Sequence, residues 1–484
     1  MISNGINILK TFKNLPQKTH MVPKIFPHVN SFRTKREEII YKYKKYISCH
    51  LKNETKINNE KFENPIVLKR GKNQHLYDEN HNKFIDFTSQ NLRIIAGHSR
   101  KDIAKIAEDQ MMKLNYNNSD FYNCEAPLLA EKIISNIPPH EDGEDWVVHF
   151  TNSSEESNNL AIVMANCFAN NEETYIINNS YHQMYRKNNF KISPFIPINP
   201  SKGVEHFENV LTFGSFCKIS SFIIDSSQIY NEHYNLGDNY IKDCFELVKE
   251  CGGVTIIDET LCGLGRTGKN LWSWRHDKFP KIVPDIITIG ENLGNGIVNI
   301  GAVVSRRSIS DAYLSKFSDP YYNHHKYNNP LGLSIGNKVI DIIRSEELNN
   351  NSEKNGKLMK SEMKKLCNEL PEIFKDIRGR GLLQVLEINN SKNKDFEENK
   401  DFVNNPIHIK NKLMPFGILT EITGINKNLI KLYPPLCIKK KDIFQLSRAL
   451  KKIGENILNL QSIEKNNEWK KKINNVYKKG YGSF

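Results

Sequence analysis

The chain has 484 residues, a length that allows a large core together with a smaller second domain. Charged residues make up 25% and aromatic residues 10%, which is typical of a globular protein, and no apolar run is long enough to cross a bilayer. The net charge of +13 belongs almost wholly to the ends, since residues 1–36 carry +7 and residues 465–484 carry +5. A nearly neutral body argues against a basic nucleic-acid-binding face.

The two basic ends allow two interpretations. Residues 1–36 contain no acid and are similar to a mitochondrial presequence, which predicts the mitochondrial matrix, with the cytoplasm as the alternative. Binding of a membrane surface or a nucleic acid through both ends is a separate hypothesis, and we expect neither partner. Nine cysteines without a CxxC pair or metal-ligand spacing indicate reduced, mostly buried thiols and no metal site.

The first elements in chain order form an N-terminal segment over residues 37–95. It contains a helix candidate over Glu37–Ile47 and two strands around a turn at Asp78–Asn82. Amphipathic helices over Asp102–Leu114 and Pro127–Ile134 follow.

From Trp146 onward, short apolar strands alternate with helices over Glu155–Asn166 and Asp238–Glu250. The predicted strands are Val147–Phe150, Tyr175–Asn178, Phe222–Asp225, Val254–Asp258, Ile286–Ile289 and Ala302–Val304. This alternation predicts an α/β fold in which helices cover a mostly parallel sheet, and we assign it to a large domain over residues 96–330.

A smaller α+β domain, built from N- and C-terminal parts, is predicted to include residues 331–464, with a basic tail over 465–484. Its helices are Leu331–Arg344 and Lys441–Ile457, and its strands are Ile373–Ile388, Gly417–Thr423 and Leu429–Leu436. The asparagine-rich stretches Asn349–Asn355 and Asn389–Asn405 are interpreted as surface loops without function, because their composition is poor in residues that build a core.

The most informative stretch is Val254–Val304, in which three strand candidates deliver polar residues at their ends, as sites in open α/β sheets require. It resembles the signature of the class III, fold-type I pyridoxal-phosphate aminotransferases. The matching residues are Asp258, Gly263, Gly265, Arg266, Thr267, Gly268, Pro284, Asp285, Ile286, Gly294, Asn295 and Gly296. Over residues 40–460 the local resemblance points to the alanine–glyoxylate aminotransferase 2 and ethanolamine-phosphate phospho-lyase branches.

The resemblance implies a role for each position of the signature. Asp258 would pair with the pyridine nitrogen of the cofactor, while the glutamine that contacts the ring hydroxyl is replaced by Leu261. The lysine that forms the Schiff base falls on Glu291, and a carboxylate cannot form an imine.

The phosphate-binding motif is also altered. HFTNSSEESNNLA over residues 149–161 resembles FxNSGSEANxxA, but Ser154 and Glu155 stand where a Gly-Ser or Gly-Thr pair donates N–H groups. A carboxylate ~4 Å from a phosphate costs about 4 kcal/mol per charge pair at an effective dielectric near 20. Alternatively, Glu155 and Glu156 satisfy the helix N-terminus internally as caps.

Three further positions carry the resemblance. Tyr181, in SYHQ, either stacks on the cofactor ring or is a core tyrosine. His325 replaces a threonine that a partner subunit supplies to the phosphate, and the adjacent Lys326 is the one nearby candidate, by motif position, for the missing amine. Lys431 replaces an arginine that binds the substrate carboxylate, without its bidentate geometry.

Two hypotheses follow. The first is a degenerate class III aminotransferase-like protein without transaminase chemistry: a scaffold or binding protein that forms a homodimer, or a heterodimer with an active paralogue, around a small amino-acid-like ligand. The alternative is an active pyridoxal-phosphate-dependent aminotransferase or phospho-lyase of the alanine–glyoxylate 2 type with atypical cofactor binding.

Overall fold

A computed structural model describes residues 35–47, 66–118, 121–177, 180, 182, 195–230, 232–233, 236, 239–275, 283–316, 329–389 and 405–480, with side chains to residue 460 in the last range. Most of the predicted presequence and the positions Tyr181, His325 and Lys326 lie outside these residues. The chain divides into two compact units, Met1–Leu68 and Lys69–Phe484. The first unit contains helix α1 (Lys35–Tyr46), close to its predicted bounds.

The strands that follow are β1 (Leu68–Lys72), β2 (His75–Asp78), β3 (Lys83–Asp86), β4 (Trp146–Thr151), β5 (Thr174–Ile177), β6 (Phe195–Ile198), β7 (Ser221–Ile224), β8 (Val254–Asp258), β9 (Ile286–Ile289), β10 (Gly301–Arg306), β11 (Phe374–Arg380), β12 (Leu383–Ile388), β13 (Ile418–Leu419), β14 (Ile422–Thr423) and β15 (Leu429–Leu432). The helices of the second unit are α2 (Lys101–Lys113), α3 (Glu125–Ile134), α4 (Ser154–Ala169), α5 (Val204–Asn209), α6 (Tyr240–Glu250), α7 (Arg307–Lys316), α8 (Pro330–Ser345), α9 (Leu348–Glu369), α10 (Pro406–Leu413) and α11 (Lys440–Gly480).

A seven-stranded sheet in the order β4-β10-β9-β8-β7-β5-β6 forms the centre of the second unit. Only β10 runs antiparallel to its neighbours, so the predicted mostly parallel sheet is confirmed. Smaller sheets have the orders β1-β2-β3-β13 and β11-β12-β15-β14.

Every residue of β5, β7, β8 and β9 is buried, and most of these residues are apolar, so both faces of the sheet are covered there. Ile223 and Ile256 belong to a cluster that includes α4 and α7, whereas Phe222 and Ile257 belong to the cluster that includes α6 and α8. Alternate residues of a strand point to opposite faces, so helices cover the sheet on both sides. Each fully buried Ile or Phe contributes about 1.5–3 kcal/mol relative to an exposed one.

Several predicted elements differ from the structure. The Ile373–Ile388 segment is an antiparallel hairpin, β11–β12, rather than one strand, and Gly417–Thr423 contains two short strands in different sheets. The final helix continues to Gly480, through most of the predicted tail. No helix in the described part of the chain combines the length and apolarity that a bilayer span requires.

The interpretation of Asn349–Asn355 as a surface loop is wrong. These residues lie in α9, where Asn351 donates to the carbonyls of Leu436 (2.6 Å) and Ile438 (3.0 Å). The buried Asn355 also donates to Ile438, at 3.0 Å. The amides satisfy carbonyls that precede α11, and these tertiary hydrogen bonds outweigh the weak helix propensity of asparagine. The Asn389–Asn405 stretch lies almost entirely outside the described residues.

Candidate functional site

The candidate site lies where β8 and β9 end and α4 begins. Asp258 is the last residue of β8 and is paired with Thr288 of β9. Glu291 follows β9 directly after Gly290, and Ser154 is the first residue of α4. The carboxyl ends of parallel strands are the edge at which α/β sheets build sites, so the topology brings together motifs that are more than a hundred residues apart in sequence.

Asp258 is buried and accepts hydrogen bonds on both carboxylate oxygens. Oδ2 accepts from His182 Nε2 at 2.8 Å and from Asn158 Nδ2 at 2.9 Å. Oδ1 accepts from the N–H (2.8 Å) and hydroxyl (2.6 Å) of Thr260, with the Thr288 hydroxyl at 3.4 Å. Burial alone would raise the pKa of Asp258, but the bonds from His182 and Thr260 lower it, so the carboxylate is charged.

Two other acids near Asp258, the half-buried Asp225 and the buried Glu259, behave differently. Burial and the Asp258 charge raise the pKa of Asp225 to about 6. Burial raises the pKa of Glu259 to about 8, although Glu259 accepts from the backbone N–H groups of Ser273 (2.9 Å) and Trp274 (3.0 Å). Near neutral pH Glu259 is therefore mostly protonated and Asp225 is protonated in small part. The three acids together carry less negative charge than three ionised carboxylates would.

Glu291 contacts the start of the altered phosphate motif. The Ser154 hydroxyl donates to Glu291 Oε2 at 2.6 Å, and the guanidinium of Arg93 lies 3.6 Å from Oε1. The Glu291 side chain is 14% exposed and that of Arg93 is 54% exposed. A Cβ on Gly290 would lie 2.3 Å from Ser154 Oγ and 2.6 Å from the Thr260 carbonyl oxygen, so only glycine allows this close approach.

Arg93 is held by an unusual backbone segment. The four residues Ser89–Leu92 have φ between 46° and 65°, one turn of left-handed helix that costs about 1–2 kcal/mol per residue. The Ser89 hydroxyl anchors it by donating to the Tyr433 carbonyl at 2.6 Å, and the buried Arg266 donates to that hydroxyl at 3.4 Å. No motif or periodicity marks Arg93, and the sequence reasoning missed it.

Nearby side chains accept hydrogen bonds from some of the backbone N–H groups at the N-terminus of α4. Ser153 is the N-cap and accepts from the N–H of Glu156 at 3.1 Å, while the Glu156 carboxylate accepts from the N–H of Asn152 at 2.7 Å. Capping is confirmed for Glu156 and wrong for Glu155, which makes no hydrogen bond with a described residue. Glu155 is therefore an acidic residue without a capping role in the first turn of α4.

The other predicted positions are distributed as follows. Lys431, on β15, forms an ion pair with Glu421 at 2.9 Å, which neutralises the cation proposed to bind a substrate carboxylate. Leu261 packs against an apolar cluster that includes Tyr433. Tyr181, His325 and Lys326 are outside the described residues, so their roles stay predictions, as do the cofactor and substrate roles of the described positions.

The residues present do not fit an imine-bound pyridoxal phosphate. Asp258 accepts four short hydrogen bonds from the protein, and a carboxylate offers about four lone-pair sites, which leaves none for a pyridinium. Glu291 supplies no amine, and its carboxylate accepts the hydrogen bond that the Ser154 hydroxyl donates. Among described residues, the one cation paired with Glu291 is Arg93, whose guanidinium does not form imines. No described group of three or more His, Cys, Asp or Glu residues is arranged to hold a metal ion.

Comparisons with known proteins agree with this architecture. A family model described as aminotransferase class-III matches residues 57–186 and 199–453. The chain is 26% identical over 412 residues to alanine–glyoxylate aminotransferase 2 homolog 2, mitochondrial, from Arabidopsis thaliana, covering 80% of this chain and 83% of the relative. It is 24% identical over 433 residues to ethanolamine-phosphate phospho-lyase homolog 1 from Caenorhabditis elegans, covering 81% and 89%.

A solved structure shows the same fold. A transaminase from the marine bacterium Virgibacillus superposes with a TM-score of 0.74 at 22% identity, covering 88% of this chain and all of that one. At this identity the likeness concerns the fold, and the chemistry must be judged from the residues of this chain.

Proposed function

The chain belongs to the class III aminotransferase family, which has the fold-type I architecture and implies pyridoxal phosphate as the cofactor, but we propose that this member does not transaminate. The observation that carries the proposal is the hydrogen bond of 2.6 Å between Ser154 and Glu291. It joins the position of the imine-forming lysine to the position that should donate to the phosphate.

Transamination needs an amine that first holds the cofactor aldehyde and then moves a proton on the substrate. Glu291 supplies neither, and its hydrogen bond to Ser154 and its ion pair with Arg93 support a structural role. Hydrogen bonds from Asn158 and His182 to the charged carboxylate of Asp258 hold the ends of β8, β9 and α4 together.

Charge at the former phosphate position supports the same proposal. Glu155 and Glu291 are both acidic, and Arg93 is the described cation paired with Glu291. A phosphate dianion ~4 Å from an uncompensated carboxylate is disfavoured by about 4 kcal/mol per charge pair at an effective dielectric near 20. Such a penalty weakens cofactor binding by several orders of magnitude.

In this proposal the chain is a binding or scaffold protein that assembles as a homodimer or with an active paralogue. Seven large apolar side chains are exposed between the end of α2 and the middle of α3. They are Met111, Met112, Leu114, Tyr116, Phe121, Tyr122 and Leu128. A concentration of exposed apolar side chains, unlike single ones, supports an interface with another protein. The substitution Met112→Glu should shift the mass measured by light scattering from dimer to monomer, whereas an unchanged mass contradicts this surface.

The former site keeps groups suited to a small amino-acid-like ligand. Arg93 is half exposed and can bind a carboxylate, while Glu291 can bind an ammonium group without a covalent bond. Titration calorimetry with glycine or alanine tests this; Arg93→Ala should abolish any heat of binding.

We also propose that the protein works in the mitochondrial matrix. The names of the similar proteins from Arabidopsis thaliana and Homo sapiens describe those proteins as mitochondrial, and residues 1–36 of this chain are basic and free of acids. Residues 1–36 fused to a fluorescent protein should enter mitochondria; a diffuse cytoplasmic signal contradicts the proposal.

The decisive experiment incubates the purified chain with pyridoxal phosphate, records the absorption spectrum, and then reduces the mixture with borohydride for peptide mapping. We expect no imine band and no pyridoxyl-lysine peptide. A trapped lysine that disappears in Lys326→Arg would instead support the alternative, an active enzyme using another amine. Glu291→Gln is the matched control, because it removes the charge without supplying an amine.

A further inference from the structure

A cavity of about 260 Å³ is lined on one side by the small sheet β1-β2-β3-β13 and on the other by the first turns of α11. This volume is below the roughly 300–1,000 Å³ of pockets that hold drug-sized ligands, so the cavity suits a small ligand. Its polar lining consists of His75, Lys83, Lys441, Asp442, Gln445 and Arg448.

Close contacts hold the sheet against α11 at this cavity. The N–H of Ile85 donates to the carbonyl of Gly417 at 2.8 Å, and the Gln445 side-chain amide donates to the carbonyl of Phe416, also at 2.8 Å. A Cβ at Gly417 would lie 2.9 Å from the Lys83 carbonyl oxygen, so glycine allows this approach. The backbone therefore fixes the distance between the two sides of the cavity.

Three cations line the cavity. Lys441, Gln445 and Arg448 are spaced i, i+4 and i+7, which places them on one face of α11. Lys83, at the start of β3, adds a cation from the sheet. Among the residues that the structure describes, no carboxylate forms an ion pair with any of these three cations. They are therefore available to an anionic ligand.

Two buried side chains also line the cavity. Those of His75 and Asp442 are 11% and 3% exposed, and His75 Nε2 lies 3.7 Å from Asp442 Oδ1. That distance is too long for a full hydrogen bond, and the imidazole makes none with any other described residue. Asp442 Oδ2 accepts instead from the Gln74 amide at 2.7 Å and from the N–H of Lys439 at 3.0 Å. Since buried polar groups are normally hydrogen-bonded, the imidazole is suited to a ligand.

The charges of the lining favour a ligand with two negative charges. The three cations face one carboxylate, that of Asp442, which leaves two positive charges uncompensated. The planar guanidinium of Arg448 matches two oxygens of a phosphate group, whereas the lysines act as point charges. Lys441 lies in the first turn of α11, where the helix macrodipole disfavours a cation, so its charge does not serve the helix.

We propose that this cavity binds a small phosphate dianion, either inorganic phosphate or a phosphomonoester. Arg448 binds two phosphate oxygens, and Lys83 and Lys441 neutralise the remaining charge. The His75 imidazole donates a hydrogen bond from the buried side, and Asp442 stays with the donors that it already has. The binding is noncovalent.

This site is separate from the candidate functional site. Within the described part of the chain, none of the residues that line the cavity is a partner of Asp258 or Glu291. The cavity lies beside α11, whereas the candidate functional site lies at the carboxyl ends of β8 and β9. Phosphate binding here therefore does not depend on whether the chain transaminates.

Titration calorimetry of the full chain at about pH 7.5 compares inorganic phosphate, methyl phosphate and dimethyl phosphate. A phosphomonoester carries nearly two negative charges at this pH, whereas dimethyl phosphate carries one. We expect one bound inorganic or methyl phosphate per chain, and at least about ten-fold weaker binding of dimethyl phosphate. Tighter binding of methyl phosphate identifies a monoester as the ligand, and tighter binding of inorganic phosphate identifies the free ion; either result supports the site.

Arg448→Ala should weaken phosphate binding at least about ten-fold, because a bidentate charged contact is lost. The double variant Lys83→Gln, Lys441→Gln should abolish it. These side chains are exposed, so both variants should keep the circular dichroism spectrum of the wild type. Lys354→Gln is the matched control, because it removes an exposed positive charge from α9, outside the cavity lining. Neither it nor Glu291→Gln should change the affinity.

The proposal is wrong if neither inorganic nor methyl phosphate gives a heat of binding, or if the cavity variants bind as tightly as the wild type. It is also wrong if dimethyl phosphate binds as tightly as inorganic phosphate. Equal weakening by Lys354→Gln and Arg448→Ala would contradict it as well, since the chain would then respond only to its total charge.

Discussion

Two neighbouring regions of the site differ in how they are built. The framework around Asp258 consists of Asn158, His182, Thr260 and Thr288, all of them buried and joined through one carboxylate. The edge around Glu291 has one hydrogen bond and one long ion pair to a half-exposed arginine. A buried network is costly to break, whereas an exposed pair contributes little. The fold thus depends on the framework, and the edge has changed without loss of the fold.

The largest effect is expected from breaking the framework. Asp258→Ala removes the acceptor of four hydrogen bonds and leaves buried donors without partners, which should lower the free energy of unfolding by about 4 kcal/mol. Urea denaturation followed by circular dichroism measures this. Glu291→Ala is the matched control at the edge, and equal losses in the two variants would show that the regions do not differ as described.

A second prediction concerns the proton held by Glu259. Its pKa in the folded chain is about 8, above its unfolded value, so the folded state keeps a proton that the unfolded state releases. Stability should therefore fall as pH rises from 5 to 8, by about 3 kcal/mol from this group. Glu259→Gln should lower stability by the same amount at every pH, because hydrogen bonds are lost. It should also remove the part of the pH dependence of stability that comes from Glu259. Parallel pH profiles of the two proteins would contradict the assignment.

At the edge, Arg93→Ala should lower the unfolding free energy by no more than about 1 kcal/mol, because the arginine is half exposed and the pair is screened. Chemical denaturation at low and high salt measures it, and the difference should shrink at high salt. Arg93→Lys keeps the charge and is the control. A salt-independent loss of several kcal/mol would place Arg93 in the framework instead.

The smallest effect is expected at Lys431. Its pair with Glu421 is partly exposed, so Lys431→Gln should change stability by less than about 1 kcal/mol. Thermal unfolding compares it with Glu421→Gln, and the double variant should be no worse than either single one. Additive losses would mean that the two side chains do not act as a pair.

The sequence predicted the framework better than the edge. The bounds of β8 and β9 follow from short apolar runs between turn residues, and the position of Asp258 follows from the end of its strand. The short strand β6 and helix α7 were missed. Asn349–Asn355 was misassigned because amide-to-carbonyl hydrogen bonds across the fold leave no local signal.

The contacts of the edge could not be predicted for the same reason. Arg93 is nearly two hundred residues from Glu291, and its position depends on a left-handed turn that local propensity disfavours. The resemblance marked Glu291 and Ser154 as altered, but only the fold shows that the two side chains contact each other. Likewise, the resemblance implies that Lys431 replaces an arginine that binds the substrate carboxylate, but it does not show that Glu421 forms an ion pair with Lys431.

We propose that the side chain at position 291 and the start of α4 together exclude an imine-bound cofactor. The most direct measurement compares the wild-type chain with the variant Ser154→Gly, Glu155→Thr, Glu291→Lys, which restores the family residues, by borohydride trapping of pyridoxal phosphate. We expect a pyridoxyl-lysine at position 291 in the variant and none anywhere in the wild type. A wild-type chain that traps the cofactor as efficiently as the variant would contradict it.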